Sequence, residues 1–432
     1  MDRRSWLPED LRAHHRGMLL RLLGEEGPLT RRELAQRSGL SIPTAASIVT
    51  ALLAGGQITE SAPWAGQDTP RGPRAGLLSL ARHAHLALGV ELCANRLRIG
   101  LGDLGGVVSE VASAAVPHGG EPARVLDLAV DLARPAVAAA GDRLVGIGVA
   151  VPGPVDDEGR RSVLSLPLGW RDVPVAERFE DAFRVPAVAE YNVRAMAVAE
   201  SRYGLGLRAE NLLYIHLDEG FGVAFVVDGL AFRQGAHGVS EIGHHRFVDA
   251  GPRCACGAAG CLDAILGRTH LLQRVRDAAR DSPGLAPLVA RRLPVLELLD
   301  IATHVGETRA ERILDEVVTH LSTAIALSVD MFSPTRVALG GELATAPKDL
   351  LHRVEAASRD KISLVLRDQV RIERSEIGRY PAVLGAATVA LDRLFYRDQA
   401  PLPATRGSRR PRPAWVAAAS SAPSPDPWIN RP

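Results

Sequence analysis

Cysteine is scarce in this chain, with four in 432 residues, and three of the four fall between positions 254 and 261. That number and placement exclude a disulfide-built scaffold and fit a reduced, cytoplasmic setting. Long apolar runs are also missing. No stretch is long enough to span a bilayer, so no membrane partner is expected. The opening "MDRRSWLPEDLRAHHRG" lacks the apolar segment of a secretory signal. A large net charge is absent too, the formal value being +1. The balance is uneven, however: residues 1–80 hold 10 Arg against 8 acidic residues, and residues 397–432 hold 6 Arg against 2 Asp, leaving −5 for the rest. Any polyanion contact therefore belongs to the two ends.

What is present begins with a compact helical unit at residues 16–60. In "LTRRELAQRSGLSIPTAASIVTALLAGGQI", Thr30 and Glu33 form a capping box that opens a short helix. Gly39 supplies a tight turn. Ser41 caps a second helix with Pro43 in its first turn, where a missing N–H costs little. Ile48, Val49, Leu52 and Leu53 share one face of that helix, which stops at Gly55-Gly56. Two helices joined this way are a helix-turn-helix. Ile58 starts a wing, and "SAPWAGQDTPRGPRAG" reads as loop and linker.

From about residue 84 the period changes to that of strands. "LALGVEL", "RLRIGLGD" and "GVVSEVA" form a meander, followed by a helix over about 122–140 and the strand "LVGIGVAVPG". The order then recurs. "LLYIHLD", "GVAFVVDG" and "LAFRQG" form a second meander, long helices fill roughly 262–331, and "RVALGGEL" is another strand and turn. A repeated meander, helix and strand predicts two similar α/β lobes facing a cleft. Residues past 397, rich in Pro, Ala, Ser and Arg, predict a disordered tail.

Between the second meander and the helices lies "EIGHHRFVDAGPRCACGAAGCLD", residues 241–263. Thiolates and imidazole favour zinc, and structural zinc takes four such ligands. Cys254, Cys256 and Cys261 offer three, with Gly257 and Gly260 letting the backbone turn tightly around the ion. The fourth is His244 or His245. Three buried free cysteines would be the plainer alternative.

This stretch resembles the signature of the ROK family (repressors, open reading frames and sugar kinases), E-x-G-H followed by C-x-C-G-x-x-G-C-x-E. Further matches lie in order: "GIGVAVPGPVD" at 146–156, "LGWRDVPV" at 168–175, "LGGEL" at 339–343 and "LGAA" at 384–387. The resemblance covers roughly residues 15–395. It implies an α/β two-lobed actin-like (ribonuclease-H-like) fold, preceded by an all-α/winged helix-turn-helix domain. The expected division is a DNA-binding unit with linker at 1–80, the two-lobed body with its zinc loop at 81–396 and the tail at 397–432. The resemblance also implies that the ligands of a structural zinc ion are His244, Cys254, Cys256 and Cys261, with His245 a solvated bystander.

Sugar kinases of that family need an aspartate base and two glycine-bearing phosphate loops, and this sequence departs at all three. The stretch matching E-N-D-A-N-A-A-A is "EYNVRAMAVAE", residues 190–200, which puts Asn192 at the base position and Tyr191 before it. An amide accepts a hydrogen bond but is no base near neutral pH. The first phosphate loop, D-x-G-G-T in kinases, is "ELCAN" at 91–95, where Cys93 and Ala94 bring Cβ atoms. Cys93 reads as a small buried residue at a strand end. The second, L-G-T-G-x-G, is "LDEGFG" at 217–222, whose Asp218 and Glu219 would repel a triphosphate. The expectation is a protein that is not a kinase.

A sugar or sugar-like effector remains the expected ligand. Glu241 and His244 stand where relatives hydrogen-bond sugar hydroxyls, and zinc ligation would fix the histidine ring. Asp263 replaces the usual Glu and is one methylene shorter. Asn192 joins this group, and Tyr191 has two roles open to it: stacking on a sugar face, or filling the pocket. Trp170 reads as core packing. For DNA, Ser41, Thr44 and Ser47 lie on the exposed N-terminal face of the recognition helix. Arg31, Arg32 and Arg37 are phosphate contacts, and Arg71 and Arg74 of "RGPR" are minor-groove candidates. The reading is a sugar-responsive regulator that binds a double-stranded operator as a homodimer or a dimer of dimers. Its rivals are a sugar kinase carrying a DNA-binding head and an effector-blind DNA-binding protein.

Overall fold

The computed structural model describes residues 8–61, 76–116, 119–233 and 240–396, all within one compact unit. The head begins earlier than the residue-16 boundary, with α1 (Pro8–Glu26). Proline suits its first position, and Gly27-Pro28 ends it. Leu19, Leu20 and Leu23 bury its inner side. After β1 (Leu29–Thr30), α2 (Arg31–Ser38) opens with a reciprocal cap. The Glu33 amide donates to Thr30 Oγ1 at 3.2 Å, and the Thr30 amide donates to Glu33 Oε2 at 2.8 Å. Gly39 closes the helix at φ 69°, a left-handed turn that glycine adopts without strain. α3 (Ile42–Ala54) is capped by Ser41 and stops at Gly55. It buries Ile48, Val49 and Leu52 against α1 and α2. The wing is β2 (Ile58–Ser61) paired antiparallel with β3 (Leu77–Leu80), which also takes β1 on its other edge.

The two lobes are topological copies. In the first, β4 (Leu86–Leu92), β5 (Arg96–Asp103) and β6 (Val108–Ala115) form the antiparallel meander. β7 (Leu144–Val151) and β10 (Ala187–Tyr191) then extend the sheet in parallel from β4. In the second, β11 (Asn211–Leu217), β12 (Phe221–Val227) and a two-residue β13 (Leu230–Ala231) repeat the meander. β14 (Arg336–Gly341) and β15 (Arg371–Arg374) repeat the parallel pair. The sheet orders β10-β7-β4-β5-β6 and β15-β14-β11-β12-β13 correspond strand for strand.

Helices cover both sheets. α4 (Pro122–Ala140) and α5 (Val175–Phe183) share a core with the outer face of the first. The hairpin β8 (Ser162–Ser165) and β9 (Trp170–Val173) adds Trp170, 2% exposed, to that core as expected. Residues 262–331 differ from the long helices read in sequence: glycines and a proline cut them into five. These are α7 (Leu262–Leu266), α8 (Arg268–Ala279), α9 (Leu285–Ala290), α10 (Val295–His304) and α11 (Thr308–Phe332), broken at Gly267, Gly284, Pro294 and Gly306. Only α11, with 25 residues, is long. α12 (Glu342–Thr345), α13 (Lys348–Lys361) and α14 (Leu364–Arg367) complete this lobe.

α6 (Asn192–Tyr203) and α15 (Pro381–Ala390) run between the lobes. A Cβ at Gly148 would lie 1.8 Å from Ala386 O, and one at Gly89 2.0 Å from Val383 O, so α15 rests on the bare sheet backbone. Beyond α15 the chain winds as a π-helical turn, Leu391–Tyr396. Arg16 of α1 donates to Phe395 O at 2.8 Å and lies over its ring, while Arg202 of α6 pairs with Asp392 at 2.5 Å. The head is thus anchored on the last turn of the body. No described helix is long and apolar enough to cross a membrane.

The glycine contacts give a graded expectation. Gly148→Ala should destabilise the protein by about 3 kcal/mol or more in urea unfolding, because backbone must move. Gly39→Ala, with nothing within 4 Å of its Cβ position, should cost only about 1 kcal/mol of left-handed strain. Equal losses would show that α15 does not need the bare glycine.

Candidate functional site

The ligand atoms of His244, Cys254, Cys256 and Cys261 all lie within 4.8 Å of one another. A short turn, residues 242–244, brings in His244, and α7 begins just after Cys261. The intervening loop closes on itself through isolated bridges Arg246↔Cys261 and Arg253↔Ala259. Gly260 has φ 75°, and a Cβ there would be 1.9 Å from Val248 O, so no other residue fits. Cys254 Sγ is 3.4 Å from His244 Nδ1, and Cys256 Sγ is 3.7 Å from Cys261 Sγ. Three soft thiols and an imidazole converging on one point can hold a metal ion. His245, by contrast, is exposed and packs edge-on to Phe247.

The remaining His244 nitrogen, Nε2, points toward Glu241, 3.7 Å from Oε2. Asp263 does not reach outward: its Oδ1 accepts from the Phe221 amide at 2.8 Å, tying α7 to the start of β12. Tyr191 is 8% exposed, and its hydroxyl lies 2.8 Å from where a Cβ at Gly222 would sit. Burial, followed by the charges of Glu241 and Asp263, pushes its phenol pKa up. The structure thus gathers Tyr191, Glu241, His244 and Asp263. Asn192, the first residue of α6, turns its side-chain oxygen onto the Val193 amide at 2.9 Å.

Two features passed unnoticed in sequence. At "LDEGFG", Arg268 pairs with Asp218 at 3.2 Å and with Glu219, and lies 4.0 Å from Glu342. Thr269 adds a hydroxyl donated to Glu219 at 2.9 Å. Burial raises the Glu342 carboxyl to about 7. The second is a buried pair beneath Tyr191: Arg194 Nε donates to Glu190 Oε1 at 2.8 Å, and Arg393 of the π-helical turn reaches Glu190 at 3.4 Å. On the first lobe, the Cys93 thiol donates to Glu91 at 3.4 Å, and burial pushes its pKa up.

On the head, Ser41, Thr44 and Ser47 are exposed. Two of the three arginines already have partners within the head. Arg31 is paired with Glu60 of the wing at 2.8 Å, and Arg37 with Glu26 of α1, because α2 is flanked by those acids. Arg32 alone is exposed without a partner among the described residues. Arg71, Arg74 and the tail from 397 lie outside the described residues.

A winged helix-turn-helix on a duplicated two-lobed body with a Cys3His loop defines a class of protein. The ROK family model matches residues 87–393, and a winged helix-turn-helix DNA-binding model matches residues 14–59. The chain belongs to the ROK family. It is 26% identical over 378 residues to the DNA-binding transcriptional dual regulator NagC of Escherichia coli K12, covering 85% of this chain and 90% of that one. It is 21% identical to the xylose repressor of Bacillus subtilis strain 168, covering 87% and 94%. In fold it resembles a solved ROK transcriptional regulator, described as a homologue of the Escherichia coli MLC protein, with TM-score 0.74, 23% identity, and 90% and 98% covered.

The burial of Tyr191 sets a test. Tyr191→Ala should cost about 3–4 kcal/mol in urea unfolding, while Tyr191→Phe stays within about 1 kcal/mol. A loss below 1 kcal/mol for the alanine variant would mean the ring packs against little.

Proposed function

We propose that this chain is a sequence-specific DNA-binding transcriptional regulator whose kinase-like cleft senses a sugar or sugar derivative without phosphorylating it. Residues 1–80 are the DNA-binding unit, residues 81–396 the sensor and residues 397–432 a tail. The protein works in the cytoplasm. One head reads too few base pairs for a genomic address, so two copies act on an inverted repeat.

The observation that carries the non-kinase reading is the Arg268 cluster. Asp218, Glu219 and Glu342 already neutralise that guanidinium at the second phosphate loop. A triphosphate arriving there would meet three carboxylates, two of them where kinases have glycine and threonine. Asn192 leaves no base at the position that needs one, and its amide oxygen is occupied by its own helix.

Zinc is the ion that suits three thiolates and one imidazole, and it would hold the loop together without entering any reaction. Glu241 and the free edge of His244 are then the effector contacts. A cleft shift at Tyr191 has a short route to the head: Glu190 is joined to Arg393, and the π-helical turn carrying Arg393 is joined to α1 through Arg16. A cavity of about 150 Å³ between α1 and the end of α6, lined by Arg21, Arg202, Tyr203 and Tyr396, leaves room for that movement. The buried Tyr191 ring also favours a second reading, an effector-blind DNA-binding protein. Calorimetry across a sugar panel separates the two: heat of binding lost in Glu241→Ala supports the sensor, and silence throughout supports the blind form.

Two outcomes test the main reading. Purified protein should hold about one zinc per chain, and Cys256→Ser or chelation should lower the melting temperature by several degrees; an unchanged melt in verified zinc-free protein would remove the structural ion. Full-length protein mixed with sheared genomic DNA at moderate salt should retain a few fragments sharing an inverted repeat. Protein lacking residues 1–80 should retain none. Equal retention by both would deny the head its role.

A further inference from the structure

α3 is the helix that a head of this kind lays in the major groove, and its chemistry is narrow. Its thirteen residues, "IPTAASIVTALLA", include no charged side chain and no amide. Guanine is read most often by Arg or Lys and adenine by Asn or Gln, and α3 has none of these. Its hydroxyls are largely occupied. Ser41 Oγ accepts the Thr44 amide at 3.3 Å and lies 2.8 Å from Thr44 Oγ1, and Thr50 donates to Ala46 O at 2.9 Å. Among the hydroxyls that face outward, Ser47 alone has no such contact among the described residues.

Apart from the Ser47 hydroxyl, what remains on the outer face is hydrocarbon. Ile42, in the first turn of α3, is 64% exposed, whereas Ile48, Val49 and Leu52 of the same helix are buried. The capping geometry that occupies Ser41 and Thr44 holds this turn in one conformation, and a β-branched side chain in a helix has one strongly preferred rotamer. Ile42 therefore presents a fixed apolar surface where the helix meets base edges. The feature of a base pair that such a surface distinguishes is the C5-methyl group of thymine.

We propose that Ile42 is a specificity-determining residue of the head and reads thymine methyl groups, so that each half-site of the operator carries thymine beneath it. This rests on the DNA-binding reading above. It assigns Ser41 and Thr44 to holding the turn, and leaves affinity to phosphate contacts such as Arg32.

The test uses full-length protein and a duplex taken from the genomic selection. Each thymine of one half-site is replaced in turn by deoxyuridine, which removes only the methyl group. One or two positions should lose about fourfold in affinity, the value for one buried methyl. In Ile42→Ala the same replacements should cost nothing, and Ile42→Val should keep most of the discrimination. Retained fragments with no uridine effect, or an effect unchanged in Ile42→Ala, overturn this inference alone. Absence of any retained fragment overturns the DNA-binding reading, and this inference with it.

Discussion

α15 can lie on the first-lobe sheet only because Gly89 and Gly148 present bare backbone to Val383 and Ala386. Much else depends on that close approach. It brings α15 near enough to α6 for Gly385 to meet the Ala195 backbone, again with no room for a Cβ. Because α6 also packs on β11 and β12, one pair of helices joins the two lobes. The π-helical turn that ends α15 then meets three partners: Glu190 beneath the cleft, Arg202 at the far end of α6, and Arg16 of the head. π-helical turns often mark functional positions. Here the turn stands between the cleft floor and the DNA-binding head.

The buried Glu190–Arg194 pair explains how that arrangement tolerates charge. Glu190 accepts from the Tyr191 amide and from Arg194, and Arg393 approaches its second oxygen. Leaving any one of these buried groups without its partners costs several kcal/mol, so the end of β10, the start of α6 and the terminal turn are held in one arrangement. The contrast with the Arg268 cluster is instructive. There three carboxylates face one guanidinium, the balance is negative, and burial raises Glu342 to about 7. One network sets two guanidiniums, Arg194 and Arg393, on a single buried carboxylate. The other sets three carboxylates around a single guanidinium.

Elements set by local chemistry were legible in sequence. The Thr30–Glu33 box, the Ser41 cap and the left-handed Gly39 act within a few residues, and the helix-turn-helix follows from them. Strands β4 and β5 and helix α4 were legible from period alone. The Cys3His cluster was legible because its cysteines are close in sequence. What was hidden is long-range. Arg393 and Glu190 stand 203 positions apart, and Arg268 and Glu219 stand 49 apart. The pairing of Arg31 and Arg37 was hidden as well, because their partners, Glu60 and Glu26, lie on other elements. The division of residues 262–331 into five helices was hidden for a different reason. The breaks are single residues, Gly267, Gly284, Pro294 and Gly306, set within or beside apolar stretches.

Asp263 has a fastening role that reaches across the site. With its carboxylate on the Phe221 amide, it fastens α7, and so the Cys3His loop, to the first residue of β12. That strand carries Gly222, whose bare face leaves room for the Tyr191 hydroxyl. The acid that could have met a ligand instead ties the loop to the strand over Tyr191. Glu241 and His244 are both more exposed than Tyr191. His244 has one nitrogen toward the cysteines and the other toward Glu241. An ion in the cysteine cluster and a hydroxyl at Glu241 would therefore act on the same imidazole from opposite sides. The loop is fastened to β12, and β12 packs on α6, the helix that ends beside the head.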